Sequence, residues 1–209
     1  MVPETLVHVI DDDAAVRESM EFLLRSARME VRTYESATSF LQALPHIAPG
    51  CIVTDVRMPD VSGIDLLRRL RDLELGMPVI VVTGHGDVPL AVEAMKVGAV
   101  DFLEKPFDDE LLITSVKAAL GRWQERSLRD HEQIELRRRL DTLSSRERDV
   151  LDGLLLGHPN KTIAYNLGIS ARTVEIYRAN VMTKMQATSL SELVRMALLA
   201  GLLAPGAVK

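Results

Sequence analysis

The sequence is poor in cysteine and in aromatic residues. Its 209 residues include one cysteine, Cys51, and Phe, Trp and Tyr together make up 4% of the chain. A single cysteine excludes an internal disulfide and fits a reducing compartment. The apolar neighbours of Cys51 indicate a small buried side chain rather than a reactive thiol. Because aromatics are scarce, the 47% of hydrophobic residues must form mainly aliphatic cores.

A membrane-spanning or targeting segment is also lacking. The longest apolar stretch, Met196–Val208, contains Pro205 and is shorter than the roughly 20 residues that a transmembrane helix needs. The first ten residues have no basic region of the kind that begins a signal peptide. We therefore expect a cytoplasmic protein that does not bind a membrane.

The net charge of −5 is distributed unevenly along the chain. Residues 1–122 have 12 Lys and Arg against 20 Asp and Glu, a charge of −8, whereas residues 123–209 have 13 against 10, a charge of +3. An acidic half joined to a basic half favours nucleic-acid binding by the second half alone. We expect a first domain over residues 1–122, a charged helical linker over 123–142 and a second domain over 143–209.

Short β-branched runs alternate with amphipathic helical patterns in the first half. The predicted strands are Leu6–Ile10, Glu30–Tyr34, Ile52–Thr54, Val79–Thr83 and Val100–Leu103. The predicted helices are Ala14–Arg28, Ser36–Leu44, Ile64–Leu73, Val88–Val97 and Asp109–Leu120. Five successive βα units predict an α/β fold, a five-stranded doubly wound parallel sheet of the flavodoxin-like type. Arg32, among polar neighbours, indicates that the second strand lies at an edge.

The second half has the pattern of an all-α domain. Its predicted helices are Ser145–Leu156, Asn160–Leu167, Ala171–Met185 and Leu190–Leu199. Ser144 and Glu147 have the spacing of a capping box. Gly168 can close one helix and Ser170 can cap the next, which is typical of a helix-turn-helix. A plain helical bundle is the alternative. The linker helix can be continuous with the helix before it, and its sparse apolar residues fit a solvated spacer somewhat better than a short coiled coil.

Chemically active side chains follow several strands of the predicted sheet. They are Asp11, Asp12, Asp55, Thr83 and Lys105, and the carboxyl ends of parallel strands meet at one edge. Because clustered carboxylates repel, a divalent cation is expected there. Mg²⁺ takes such oxygen ligands and would leave one carboxylate free as a nucleophile. We interpret Asp13 as a helix N-cap rather than a ligand, and His85 as a plain loop residue.

Separated segments of the first 120 residues resemble the receiver domain of response regulators in order and spacing. These segments are Val9–Asp13, Val53–Gly63, Val82–Gly84 and Asp101–Phe107. The resemblance implies that Asp55 is the phosphoacceptor and that a sensor histidine kinase is its partner. The implied Mg²⁺ ligands are Asp11, Asp12, Asp55 and the backbone carbonyl of Arg57. The implied phosphate-binding and switch residues are Thr83, Lys105 and Phe102, and the implied homodimer contacts are Val92, Met95 and Lys96.

Residues Leu143–Leu199 resemble the LuxR-type DNA-binding domain. The resemblance rests on Asn160-Lys161-x-Ile163-Ala164 and Thr173-Val174-Glu175, and it implies that Ala171–Met185 is the recognition helix. The residues expected at the DNA are Asn160, Lys161, Arg172, Thr173, Glu175, Ile176, Arg178, Ala179 and Lys184. Glu175 stands where the family often has lysine, and a carboxylate can accept a hydrogen bond from cytosine N4. For Arg172, Arg178 and Lys184, a solvated surface position is the alternative.

The two resemblances together indicate the FixJ/NarL class of response regulators. Within that class, Thr83–Phe102 and Arg172–Met182 are most similar to activators of nitrogen-fixation genes. The class implies dimerisation on phosphorylation, binding to promoter DNA, contact with RNA polymerase and activation of nitrogen-fixation or microaerobic genes. It also implies no enzymatic activity beyond the protein's own phosphoryl transfer and slow dephosphorylation. A phosphatase-type enzyme, which turns over phosphomonoesters, and a protein-interaction relay, which ignores DNA, are the alternatives.

Overall fold

The structure, a computed structural model, describes residues 6–84 and 88–202. The predicted loop residue His85 lies outside these ranges. The chain divides into two compact units, Met1–Arg126 and Ser127–Lys209. The division falls inside the predicted linker, whose exact extent stays a prediction.

A five-stranded parallel sheet forms the centre of the first unit. Its strands are β1 (Leu6–Ile10), β2 (Glu30–Tyr34), β3 (Cys51–Asp55), β4 (Val79–Thr83) and β5 (Asp101–Glu104). They lie in the order β2-β1-β3-β4-β5, and every neighbouring pair is parallel. The three inner strands are buried along their whole length. The predicted doubly wound sheet is confirmed, and so is the edge position of β2.

Helices cover both faces of this sheet. They are α1 (Ala14–Ser26), α2 (Ala37–Ala43), α3 (Gly63–Asp72), α4 (Val88–Val97) and α5 (Asp109–Asp141), with a short 3₁₀ helix at Leu44–His46. Alternate strand residues point to opposite faces, so Val9 and Val53 enter one aliphatic core while Ile10 and Ile52 enter the other. Cys51 is buried in the first of these cores, as predicted.

The helix boundaries agree with the predicted ones to within one residue, except at two places. α1 ends at Ser26 rather than Arg28, because Arg28 has a positive φ of 63° that a helix does not allow. The predicted helix Asp109–Leu120 continues without a break to Asp141. No proline interrupts that stretch, and its Gly121 lowers helix propensity without ending the helix.

The second unit contains helices packed around an aliphatic core. After the end of α5 these are α6 (Ser145–Leu155), α7 (Asn160–Leu167), α8 (Ala171–Met185) and α9 (Leu190–Leu199). Gly168, at φ 65°, ends α7 in the left-handed region, and the Ser170 side chain accepts from the Thr173 amide at the start of α8. The predicted turn between the two helices is therefore confirmed. Within the described ranges, no helix is long and apolar enough to cross a membrane.

Candidate functional site

Two buried carboxylates and one ammonium meet at the carboxyl end of the sheet. Lys105 Nζ donates to Asp11 Oδ2 at 2.6 Å and to Asp55 Oδ1 at 2.7 Å. The side chains of Asp11 and Asp55 are only 2% and 10% exposed. Asp11 follows β1, Asp55 ends β3 and Lys105 follows β5, so the parallel topology alone brings these distant residues together.

The loop after β1 holds Asp11 through its own backbone. Asp11 Oδ1 accepts from the Asp13 amide at 2.9 Å. The Asp13 carboxylate in turn caps α1 by accepting from the amides of Ala15 and Val16, which confirms the N-cap prediction. Arg17 donates to the carbonyls of Asp11 at 2.7 Å and Asp12 at 3.0 Å. Arg17 was not among the predicted site residues, although its place one helical turn after the N-cap puts it above this loop.

The loop after β3 fixes Asp55 in a similar way. Asp55 Oδ2 accepts from the Arg57 amide at 2.6 Å. Gly63, which begins α3, donates through its amide to the Val56 carbonyl at 3.0 Å. A Cβ atom on Gly63 would lie 2.2 Å from the Asp55 carbonyl oxygen, which no other residue could tolerate without a shift of the backbone. The first turn of α3 therefore packs directly on the backbone of Asp55.

Burial and ion pairing act in opposite directions on the pKa values of Asp55 and Lys105. Burial raises the pKa of Asp55, while the hydrogen bond and charge of Lys105 and the Arg57 amide oppose that rise. Burial acts to lower the pKa of Lys105, but hydrogen bonds and charge from Asp11 and Asp55 outweigh it, and the pKa is raised. With two carboxylates and one ammonium, the buried group keeps a net charge of −1. Such a group attracts a further cation.

Asp12 lies apart from this buried pair. It is exposed and lines an adjoining cavity of about 480 Å³ together with Arg57. In the part of the chain that the structure describes, no three His, Cys, Asp or Glu side chains come close enough to ligate one metal ion. The structure thus brings Asp11 and Asp55 together around Lys105 but does not complete the predicted cluster of three carboxylates.

The donor set nevertheless fits Mg²⁺. This ion is held in proteins by one or two carboxylates, with waters and phosphate oxygens completing an octahedron. Asp11 and Asp55 supply two hard anionic oxygens with an uncompensated negative charge, and a cavity large enough for water adjoins them.

Of the predicted switch residues, Phe102 shares a surface with the predicted dimer residues, whereas Thr83 is buried. Thr83, which ends β4, is 2% exposed, at the same edge of the sheet as Asp55. Phe102 on β5 is 42% exposed, and it lines an apolar cavity of about 360 Å³ with Val92, Met95 and Lys96 of α4. Val92 and Met95 are also about half exposed. The structure therefore places the predicted aromatic and the three predicted dimer residues in one apolar depression.

In the second unit, the residues predicted to contact DNA other than Lys184 fall into two groups. Lys161, Arg172, Glu175, Ile176 and Ala179 are exposed. Asn160, Thr173 and Arg178 are half-buried, and Arg178 Nη1 donates to Asn160 Oδ1 at 3.4 Å. Lys161, Glu175 and Arg178 line one cavity of about 570 Å³.

Lys184 has a structural partner that the sequence pattern did not reveal. Its ammonium donates to Glu147 Oε2 at 2.6 Å and to the Thr142 carbonyl at 3.1 Å. Glu147 is 4% exposed and also accepts from the Ser144 amide at 2.8 Å in the predicted capping box. The Lys184 hydrogen bond and the Ser144 amide hold the pKa of Glu147 at about 2.

Comparisons with known proteins agree with both halves of this description. Residues 7–117 match the family described as "Response regulator receiver domain", and residues 141–197 match "Bacterial regulatory proteins, luxR family". The chain belongs to the response regulators, in the FixJ/NarL class that joins a receiver to a LuxR-type DNA-binding domain. It is thus a phosphorylation-dependent transcriptional regulator.

Three relatives show how close the similarity is. "Transcriptional regulatory protein FixJ" of Azorhizobium caulinodans is 61% identical over 201 residues, covering 96% of this chain and 95% of that protein. The solved full-length FixJ from B. japonicum has 52% identity and a TM-score of 0.62, covering 96% of this chain and 98% of that chain. The response regulator StyR has 40% identity and a TM-score of 0.83, covering 92% and 98%.

Proposed function

We propose that Asp55 accepts the phosphoryl group and that a sensor histidine kinase supplies it. The observation that carries this proposal is the contact of one ammonium, Lys105 Nζ, with both Asp11 and Asp55. Asp55 ends a central strand and is the more exposed carboxylate of this pair, at 8% against 1% for Asp11. A carboxylate in this setting can act as a nucleophile.

The transfer reaction follows from the placement of these groups. An Asp55 oxygen attacks the phosphorus of a phosphohistidine whose other ring nitrogen carries a proton. The P–N bond breaks, its electron pair stays on nitrogen, and the neutral imidazole leaves. Lys105 is close enough to Asp55 to pair with a phosphoryl oxygen as a compact charge, and the Thr83 hydroxyl would donate to another. Asp11, Asp12, Asp55 and the Arg57 carbonyl would hold Mg²⁺. When bound, this ion supplies positive charge beside the phosphoryl oxygens.

We propose that phosphorylation of Asp55 leads to formation of a homodimer. A phosphoryl group adds about −1.5 to −2 charge at Asp55, and inward rotation of Phe102 would reshape the depression that it shares with Val92, Met95 and Lys96. Support comes from the apolar depression itself, because Phe102, Val92 and Met95 all line it and each is nearly half exposed. The dimer would present two copies of α8 to half-sites about 34 Å apart.

The proposed target is promoter DNA of nitrogen-fixation or microaerobic genes, with RNA polymerase as a further partner. The resemblance to FixJ proteins supports this target. A DNA-binding output also supports a cytoplasmic location. We propose that α8 enters the major groove with Glu175, Ile176 and Ala179 at the base edges, where all three are exposed. The flanking contacts would come from Asn160, Lys161, Arg172, Thr173, Arg178 and Lys184.

Phosphorylation with acetyl phosphate and MgCl₂ tests the first half of the proposal. We expect one phosphoryl group per chain in the wild type and none in Asp55→Asn. Asp60→Asn is the matched control, because Asp60 is an exposed acid of the same loop that accepts from the Thr38 amide. A label that persists in Asp55→Asn would refute the assignment, and multiple turnovers of a phosphomonoester would favour a phosphatase.

Footprinting on promoter DNA tests the second half. The phosphorylated wild type should protect two half-sites, and Asp55→Asn treated in the same way should protect them only at higher concentration. If the protein is phosphorylated yet binds no DNA at physiological salt, the chain is a relay rather than a transcription factor.

A further inference from the structure

A further cavity of the receiver lies at the opposite end of the sheet from Asp55. It has a volume of about 720 Å³, within the range of about 300–1,000 Å³ typical of small-molecule sites. Val79, the first residue of β4, is part of its wall, together with residues from the ends of α3 and α4 and from the middle of α5. None of its lining residues takes part in the phosphoryl transfer described above.

The floor of this cavity is apolar and well packed. Leu67, Leu70, Val79 and Ala119 are each at most 4% exposed. Trp123, the only tryptophan of the chain, lies in the wall and packs against the receiver core. A floor of this kind, with an indole beside it, suits a flat apolar group.

The rim of the cavity is basic, although the surrounding unit is acidic. Arg71 comes from the last turn of α3, while Arg122 and Arg126 stand one turn apart on the same face of α5. Glu74 is the one acidic residue of the lining, so the lining has a net charge of +2, in a region where residues 1–122 total −8. Arg71 and Arg122 come from different helices and line the same opening, so an anion there can pair with both.

The local contacts of Arg71 leave it able to bind such an anion. Its Nε and Nη2 atoms donate to Asp72 Oδ1 at 3.4 and 3.2 Å. Both partners are more than half exposed, so this pair is held weakly. A guanidinium has five N–H donors and can form two parallel hydrogen bonds to a carboxylate.

We propose that this cavity binds a small organic anion with a flat apolar body. The apolar body would lie on the floor against Trp123, and the anionic group would pair with Arg71 and Arg122.

Titration of the unphosphorylated full-length chain with 2-naphthoate tests this inference. The indole Nε1–H resonance of Trp123 is the readout, since the chain has no other tryptophan. We expect a saturable shift with 2-naphthoate and binding weaker by about tenfold or more with neutral 2-naphthylmethanol, because a charge-assisted hydrogen bond contributes roughly 1.5–3 kcal/mol.

Variants that remove single arginine charges distinguish specific binding in this cavity from nonspecific hydrophobic binding. Arg71→Gln and Arg122→Gln, which change opposite walls, should each weaken 2-naphthoate binding by about tenfold. Arg32→Gln is the control, because Arg32 is an exposed arginine on the edge strand β2. The proposal is overturned if 2-naphthoate gives no saturable shift, if the acid and the alcohol bind equally, or if Arg32→Gln weakens binding as much as the other two.

Discussion

Replacement of the partners in the Glu147–Lys184 ion pair should have unequal effects on the stability of the second unit. The side chain of Glu147 is 5% exposed and that of Lys184 is 38% exposed. Lys184→Met leaves a buried carboxylate without its cation, and the loss of one partner from a buried pair costs about 3–5 kcal/mol. Because the Lys184 side of the pair is open to water, water can partly solvate the carboxylate that remains. We therefore expect a loss of stability of about 2–3 kcal/mol, at or just below the lower end of that range.

Glu147→Gln should be milder. The amide oxygen can still accept from the Ser144 amide, and the partly exposed ammonium of Lys184 can be hydrated. The expected loss is about 1 kcal/mol, the size of an ordinary hydrogen bond. The double variant removes both charges, so adding Glu147→Gln to Lys184→Met should restore part of the lost stability.

The pH dependence of this pair has a definite sign. The pKa of Glu147 is lowered to about 2 from an ordinary value of 4.5, mainly by the hydrogen bond from Lys184. The unfolded chain therefore takes up a proton at higher pH than the folded chain does. The stabilisation is complete above about pH 4.5 and is lost as the pH falls toward 2, so the difference between wild type and Glu147→Gln should close over that window.

Each unit can be followed separately in these measurements. Native-state hydrogen exchange of α6 and α8 amides reports the second unit. The fluorescence of Trp123 reports the first unit and should not change in any of the variants. Equal losses of stability in Lys184→Met and Glu147→Gln would refute the predicted asymmetry, and so would a double variant that is less stable than Lys184→Met alone.

Three further predictions concern other residues. Asp13→Ala removes the N-cap of α1 and should lower the stability of the receiver by about 1 kcal/mol in urea unfolding followed by Trp123 fluorescence; an unchanged midpoint would contradict the capping role. Burial lowers the pKa of His8, so the unfolded state gains protons below about pH 6.5. Wild-type stability should therefore fall from pH 7 to pH 5 more steeply than that of His8→Leu, and parallel curves would argue against a neutral buried imidazole. Glu175→Gln should change the preference at one base pair by about 1–3 kcal/mol in binding to a panel of operator variants, whereas equal weakening on every sequence would exclude base readout.

The helices and strands could be predicted from the sequence, and so could the edge of the sheet at which the candidate site lies. Aliphatic strands between amphipathic helices have a strong periodic signal, and parallel strands direct Asp11, Asp55 and Lys105 to a common edge. The same patterns do not encode distances. That Lys105 lies between two acids while Asp12 stays exposed depends on backbone hydrogen bonds in two loops, which no periodic pattern describes.

Contacts between helices were the least predictable feature. Lys184 and Glu147 lie 37 positions apart, on helices whose packing is set by the aliphatic core rather than by charge. A lysine on a DNA-binding helix favours a phosphate contact when it is considered alone, and only the packed structure reveals its buried partner. The linker was predicted to be helical, but its continuity with α5 was left open, since a change from amphipathic to highly charged sequence does not show whether the backbone stays helical across it.

The close packing of Gly63 on the Asp55 carbonyl limits how this loop can be engineered. Residues 56–62 are closed at both ends, by the Arg57 amide on the Asp55 carboxylate and by the Gly63 amide on the Val56 carbonyl. A graft of this loop onto another scaffold must therefore include the glycine together with the aspartate. A transplant that kept the acid but placed alanine at the helix start would move the nucleophile away from its lysine.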